Sequence, residues 1–315
     1  MAFASLPRTL AAELLGFNFA MFGFSPYGPY WRHIRKIATL ELLSNSRLEK
    51  LKHVRESEAK ESINRLYVLV INGGSKPVVV EMKRWFWIIN INTVLKIVIW
   101  KRYSEVENSH GEEENEERRK AVRDFFGLGG GRSQWRTRCR SCGGWIWKFR
   151  QTGGEHDDFM DIMLSFLEDA GKLPSYDADT INKATCQPPV LAHHLENVVE
   201  PVHIDCAEKE SDIKFEDDHM SLFRPERFLT THKHINVRGQ NFEFIPFGSG
   251  RKVCPGISSA LQILNLNLAV LLQSFEITTP DDEPVDIREG AGLTNLKAAP
   301  LNVVFTPRLP PHLYE

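Results

Sequence analysis

From Pro246 to Gly256 the chain reads PFGSGRKVCPG, and it continues directly into the apolar run ISSALQILNLNLAVLLQSF at 257 to 275. Three glycines and two prolines in so short a stretch exclude helix or strand interior, so the segment is a loop feeding a helix. Within it Cys254 stands behind Arg251 and Lys252, with no second cysteine nearby. A disulfide needs a partner and a zinc site needs about four ligands, and a lone sulfur meets neither demand. Three roles remain: a buried structural thiol, a reactive nucleophile, or a thiolate ligand to a metal whose other positions are filled from outside the chain.

A thiolate ligand must stay deprotonated. Arg251 and Lys252 lower the cost of its charge, and a glycine-rich backbone turns amides toward it. Gly248, Gly250 and Gly256 would let the backbone approach a flat ligand, Pro255 stiffens the exit, and a helix beginning at Ile257 aims its positive end at the sulfur. Together these features describe an axial thiolate held against a planar iron cofactor. Rival motifs fail on inspection. GSG is not the G-x-S-x-G of a nucleophile elbow, and no GxxxxGK[ST] follows that could cradle phosphate.

The rest of the chain reads as mainly helical with a small β portion. Residues 26 to 60 form a helix opened by Pro29 and a second, more charged helical stretch. In the first of these, Trp31 and Arg35 stand four apart and share a face, which by itself predicts a surface Trp-Arg stack. The run WFWIININTVLKIVIW at 85 to 100 is too short for a membrane span and is interrupted by Asn90, Asn92 and Lys96, so it predicts a buried core helix. Phe159, Met163, Phe166 and Leu167 follow helical spacing, and SYDADTINKATC opens another helix with Asp177 or Asp179 as its N-cap. The apolar run after the cysteine loop predicts a helix buried on nearly every side, and LNVVFTP a strand.

Two segments break the pattern. Residues 127 to 154 hold a Gly-, Arg- and Trp-rich insert without helical or strand period, and 187 to 206 read as irregular. Cys139 and Cys142 in the insert make half of a zinc site at most. A formal net charge of -2 argues against a general nucleic-acid binder, and five scattered cysteines suggest a reducing compartment. The opening residues carry no secretory signal and no membrane anchor, which predicts a cytoplasmic chain.

The stretch FGSGRKVCPG resembles the haem-binding signature FxxGxRxCxG of the cytochrome P-450 family, with Phe247, Gly250, Cys254 and Gly256 on the signature and Lys252 where arginine is usual. Trp31 and Arg35 resemble the family's WxxxR pair, FRPERF at 223 to 228 its PERF element, and EGAGLTNLKAAPL a C-terminal pocket loop. The likeness covers roughly residues 2 to 126, 155 to 186 and 207 to 315 and is nearest to plant members. It implies one partial domain of cytochrome P-450-like fold across 1 to 315, with the 127 to 154 insert as an aberrant piece.

As cofactor the resemblance implies haem b, with Cys254 as metal ligand and Trp31, Arg35, Phe247, Gly250, Lys252 and Gly256 around the group. As activity it implies a monooxygenase that takes electrons from NADPH through a cytochrome P-450 reductase and inserts one atom of dioxygen into a small apolar substrate. The family's place is the cytosolic face of the endoplasmic reticulum membrane. Two family features are not found. No [AG]GxxT motif with its acid-alcohol pair occurs anywhere, and the ExxR strings at Glu81–Arg84 and Glu116–Arg119 lie far upstream of the expected place. A haem-binding or misfolded remnant without turnover is therefore the alternative, and no catalytic side chain is assigned.

Overall fold

Pro29 occupies the first turn of helix α1, Pro29–Ile37, as its fixed φ and missing N–H allow. Arg35 and Lys36 sit in the last turn, where positive charge complements the helix dipole. A π-helical turn, Ala38–Leu42, separates α1 from α2, Asn45–Lys50, whose N-cap Ser44 accepts from the amide of Arg47. Helix α3 follows as Lys52–Asn72, so the second helical stretch expected from the sequence is two helices and runs further than residue 60. These elements belong to a computed structural model that describes residues 13, 16–74, 77–99, 163–167, 176–185, 225–242, 244–286, 288 and 297–315. The insert at 127 to 154, the irregular stretch at 187 to 206 and the Glu116–Arg119 string lie outside the described residues.

The chain divides into two compact units, Met1–Val54 with Ile91–His193, and Arg55–Asn90 with His194–Glu315. Helix α4, Met82–Ile99, is buried along its length, from Met82, Trp85, Phe86 and Ile89 to Val94, Leu95 and Val98. Asn90, Asn92 and Thr93 are buried with them, as expected of a core helix. In the first unit, α5 is Ala178–Thr185. Asp177, not Asp179, caps it: one carboxylate oxygen accepts from the Thr180 amide at 2.8 Å and the other from the Thr180 hydroxyl at 2.7 Å. Ala20, Met21 and Ala184 form a buried cluster there, flanked by Phe17, Phe24 and Tyr176. Residues 163–167 are helical, with Met163 and Leu167 buried.

The second unit carries a three-stranded antiparallel sheet in the order β1-β3-β2, with β1 Val79–Glu81, β2 Phe275–Thr278 and β3 Asn302–Pro307. Central β3 alternates: Val303 and Phe305 are buried, while Asn302 and Thr306 are exposed. Glu81 ends β1 and Arg84 lies in the first turn of α4, so this ExxR string straddles a strand-helix junction. Helix α6, Ile257–Ser274, runs directly into β2. Its fully buried positions, Ile257, Ala260, Ile263, Asn267, Leu271 and Ser274, recur every three or four residues, which makes one stripe. That corrects the expectation of burial on nearly every side, since Leu272 is 55% exposed and Leu266, Leu268 and Val270 are only partly buried against the core.

Tyr314 closes this core. It is 1% exposed, stacks on Tyr67 with centroids 4.1 Å apart and planes 8° apart, and also meets Phe275. Its hydroxyl donates to the Ser274 carbonyl and accepts from the amides of Arg308 and Leu309, each at 3.2 Å.

Candidate functional site

The loop before α6 is held by its own backbone. The amide of Gly248 donates to the Ile245 carbonyl at 2.8 Å, and the amide of Cys254 returns to the Phe247 carbonyl at 2.9 Å. Between them a 3-10 turn, Gly250–Lys252, reverses the chain. Gly250 has φ +61, and a Cβ there would meet nothing within 4 Å. The left-handed backbone by itself favours glycine at this position. Phe247 is buried at 4% exposure and anchors the start of the loop.

Cys254 is a reduced, half-buried thiol. Its sulfur lies beside Gly256, 3.7 Å from where a Cβ on that glycine would stand. Gly256 is the N-cap residue of α6, and no side chain caps that end. The Cys254 amide is committed to the Phe247 carbonyl, and the chain then enters α6 at its N-terminal end, where the helix dipole is positive. Arg251 is exposed and Lys252 half-buried just ahead of the sulfur in sequence.

Trp31 and Arg35 lie in the first unit, the cysteine loop in the second. On α1 the Arg35 guanidinium lies 5.4 Å from the Trp31 ring centroid, so the stack expected from their spacing is present. It is not a surface stack, because Trp31 is 5% exposed and also packs on Tyr27 with centroids 5.3 Å apart. The segment ahead of them has Phe17, Asn18 and Phe19 all at positive φ. Tyr176 donates to the Asn18 carbonyl at 2.6 Å and Tyr30 to the Ala20 carbonyl. Burial first, and the nearby Tyr176 phenol second, push the Tyr30 hydroxyl above the usual phenol range.

Pro225–Leu229 of the PERF element is a 3-10 turn with Arg227 half-buried. Of the C-terminal pocket loop only 297 to 301 are described, where Lys297 donates to the Ala299 carbonyl at 2.7 Å. Sequence reading passed over Gly239, Ser249 and Tyr176. The Ser249 hydroxyl donates to the Gly239 carbonyl at 2.7 Å, tying the cysteine loop to a turn ten residues earlier. No motif marks such a contact, since a lone glycine does not announce what it touches.

The model of the family described as Cytochrome P450 matches residues 220–303. Strychnine-10-hydroxylase of Strychnos nux-vomica is 36% identical over 422 aligned positions, covering 100% of this chain and 80% of that protein. Flavonoid-6-hydroxylase of Ocimum basilicum is 34% identical, with the same coverage. A xanthotoxin 5-hydroxylase of Arabidopsis thaliana is also 34% identical, covering 99% of this chain and 81% of that protein. A solved zebrafish cytochrome P450, in a structure with abiraterone, superposes with a TM-score of 0.69 over 98% of this chain and 89% of that one, at 16% identity, a likeness of fold.

Proposed function

The chain belongs to the cytochrome P450 family, whose cofactor is haem, and from that premise we propose that Cys254 is the proximal thiolate of a plant haem monooxygenase. The observation that carries this reading is the placement of the Cys254 sulfur beside Gly256 at the uncapped start of α6, with its own amide turned away to Phe247. The residues suit the group. A half-buried thiol is the donor a haem iron takes from the protein, and among the described residues nothing stands within 4 Å of a Cβ at Gly250. When bound, the haem supplies the iron at which dioxygen is activated for insertion of one oxygen atom into a C–H bond.

The chain's own residues then have separable tasks. Cys254 donates charge through its sulfur, and Phe247 keeps water from it. Gly250 and Gly256 shape the loop so that amides face the sulfur. Lys252 holds a propionate as a point charge, without the forked geometry of the more usual arginine. Trp31 and Arg35 hold a propionate through an indole N–H and a guanidinium already oriented by their stacking. Dioxygen and a redox partner serve the family; for this chain we place an NADPH-dependent reductase in that role. Plant members are generally membrane-anchored, which supports the cytosolic face of the endoplasmic reticulum. The relatives named for strychnine, flavonoid and xanthotoxin hydroxylation support a small organic substrate of plant origin.

A second reading, haem binding without turnover, is favoured by two observations. The sequence has no [AG]GxxT motif, and its 315 residues spread over 422 aligned positions, so the relative has residues at internal positions where this chain has none. In the family the acid-alcohol pair of that motif helps to deliver protons for dioxygen activation, so its absence from the sequence favours haem binding without turnover. The test is the absorbance of haem-reconstituted protein, reduced, with and without carbon monoxide. A strongly red-shifted Soret band that vanishes in Cys254→Ala establishes the thiolate; its persistence in Cys254→Ala overturns the assignment. Turnover of the same sample with a reductase then separates the two readings.

A further inference from the structure

Gly239 has φ +74, and a Cβ built on it would stand 2.5 Å from the Gly248 carbonyl oxygen and 3.1 Å from the Ser249 Cα. Both are backbone atoms, so a side chain at 239 could not be accommodated by a rotamer change; the cysteine loop itself would have to move. The same two strands of chain are tied by the Ser249 hydroxyl donating to the Gly239 carbonyl at 2.7 Å. From Ser249 the loop leads through the 3-10 turn Gly250–Lys252 to Cys254, whose amide closes back on Phe247 at 2.9 Å. The loop is thus clamped from inside by Cys254–Phe247 and from outside by Ser249–Gly239.

We propose that Gly239 is a positioning residue for Cys254: its bare backbone is the wall against which Gly248 and Ser249 are pressed, and that contact sets where the sulfur stands. The proposal deepens the reading of Cys254 as a thiolate ligand and rests on it for its relevance to haem, but the contact can be measured without haem.

Gly74 provides the control. It too has a left-handed φ, +61, but a Cβ there meets nothing within 4 Å, so Gly74→Ala carries the backbone strain without the collision. The experiment compares wild type, Gly239→Ala, Ser249→Ala and Gly74→Ala in the full chain. The first readout is the peptide-resolved alkylation rate of Cys254 by iodoacetamide in the haem-free protein. The second is the reduced carbon monoxide band after reconstitution, with thermal midpoints recorded throughout.

The expected result is several-fold faster alkylation of Cys254 in Gly239→Ala, a smaller change of the same sign in Ser249→Ala, and loss of the red-shifted band in Gly239→Ala. Gly74→Ala should lower the midpoint and leave both readouts at wild-type values. Wild-type alkylation in Gly239→Ala overturns the proposal, as does an equal effect in Gly74→Ala, which would reduce it to general destabilisation. Should Gly239→Ala fail to fold, Ser249→Ala decides, and its wild-type alkylation rate overturns the proposal. If instead the alkylation result holds but the band survives Cys254→Ala, the ligand assignment falls and the positioning of Cys254 by Gly239 stands.

Discussion

The Tyr176 hydroxyl donates to the Asn18 carbonyl at 2.6 Å, joining residues 158 apart in the chain. The carbonyl it takes belongs to the middle of three successive left-handed residues, Phe17, Asn18 and Phe19. Each costs about 1–2 kcal/mol for a side-chain-bearing residue. A hydroxyl bond returns only about 0.5–1.5 kcal/mol, so the bonds from Tyr176 and Tyr30 do not hold the segment alone. Burial of Ala20 and Met21 against Ala184 supplies the remainder.

Tyr176→Phe should therefore destabilise the fold by about 0.5–1.5 kcal/mol, because the Asn18 carbonyl loses one donor while the aromatic packing on Tyr30 stays. Chemical denaturation of both proteins measures this. A change above that range would mean that the ring, not the hydroxyl, is the anchor.

The Tyr30 phenol should remain protonated at pH values where an exposed tyrosine ionises, since burial and then Tyr176 raise its pKa. For a group whose pKa rises on folding, the contribution to stability is complete below the unfolded pKa and is lost as pH rises through the folded one. Alkaline titration of phenolate absorbance should give the same curve for wild type and Tyr30→Phe until unfolding begins. A phenolate missing from the ordinary range in Tyr30→Phe refutes this.

Asp286 should show the opposite dependence. Hydrogen bonds from Arg288, at 2.8 to 3.2 Å, hold its carboxyl well below the usual carboxylate range. Any stabilisation is present above the unfolded pKa and is lost as pH falls through the folded one. The pair is exposed, so salt and solvent keep its effect on stability small. Carboxyl-carbon NMR should find Asp286 titrating below the other aspartates, and Arg288→Gln should return it to their range.

Removing the N-cap carboxylate in Asp177→Ala should cost about 0.5–2 kcal/mol, because the Thr180 amide and hydroxyl lose their acceptors at once. Amide exchange at α5 is the direct measure. Unchanged protection of the Thr180 amide would count against the cap.

Tyr314→Phe leaves the stack on Tyr67 in place but strips the Ser274 carbonyl and the Arg308 and Leu309 amides of their common hydroxyl. At a site 1% exposed this should cost about 1–3 kcal/mol, seen as a lower denaturation midpoint of the second unit. Tyr314→Ala also removes the ring and should cost about 3–5 kcal/mol.

Local chemistry was legible in the residues themselves. Pro29 could open α1, an acid near 177 had to cap α5, and the glycines and prolines around Cys254 had to make a loop ahead of α6. These outcomes depend on neighbours within a few positions, which a linear string contains. The alternation that buries Val303 and Phe305 was equally local. The sequence by itself therefore determined the helical character, the strand near the end and the family signature around Cys254. Only tertiary structure decided which stripe of α6 is buried, since nearly every face of that run is apolar and its composition favours none. It also decided that Asn18 answers Tyr176 and that Gly239 walls the cysteine loop, because such contacts form between atoms whose separation along the chain carries no information about their separation in space.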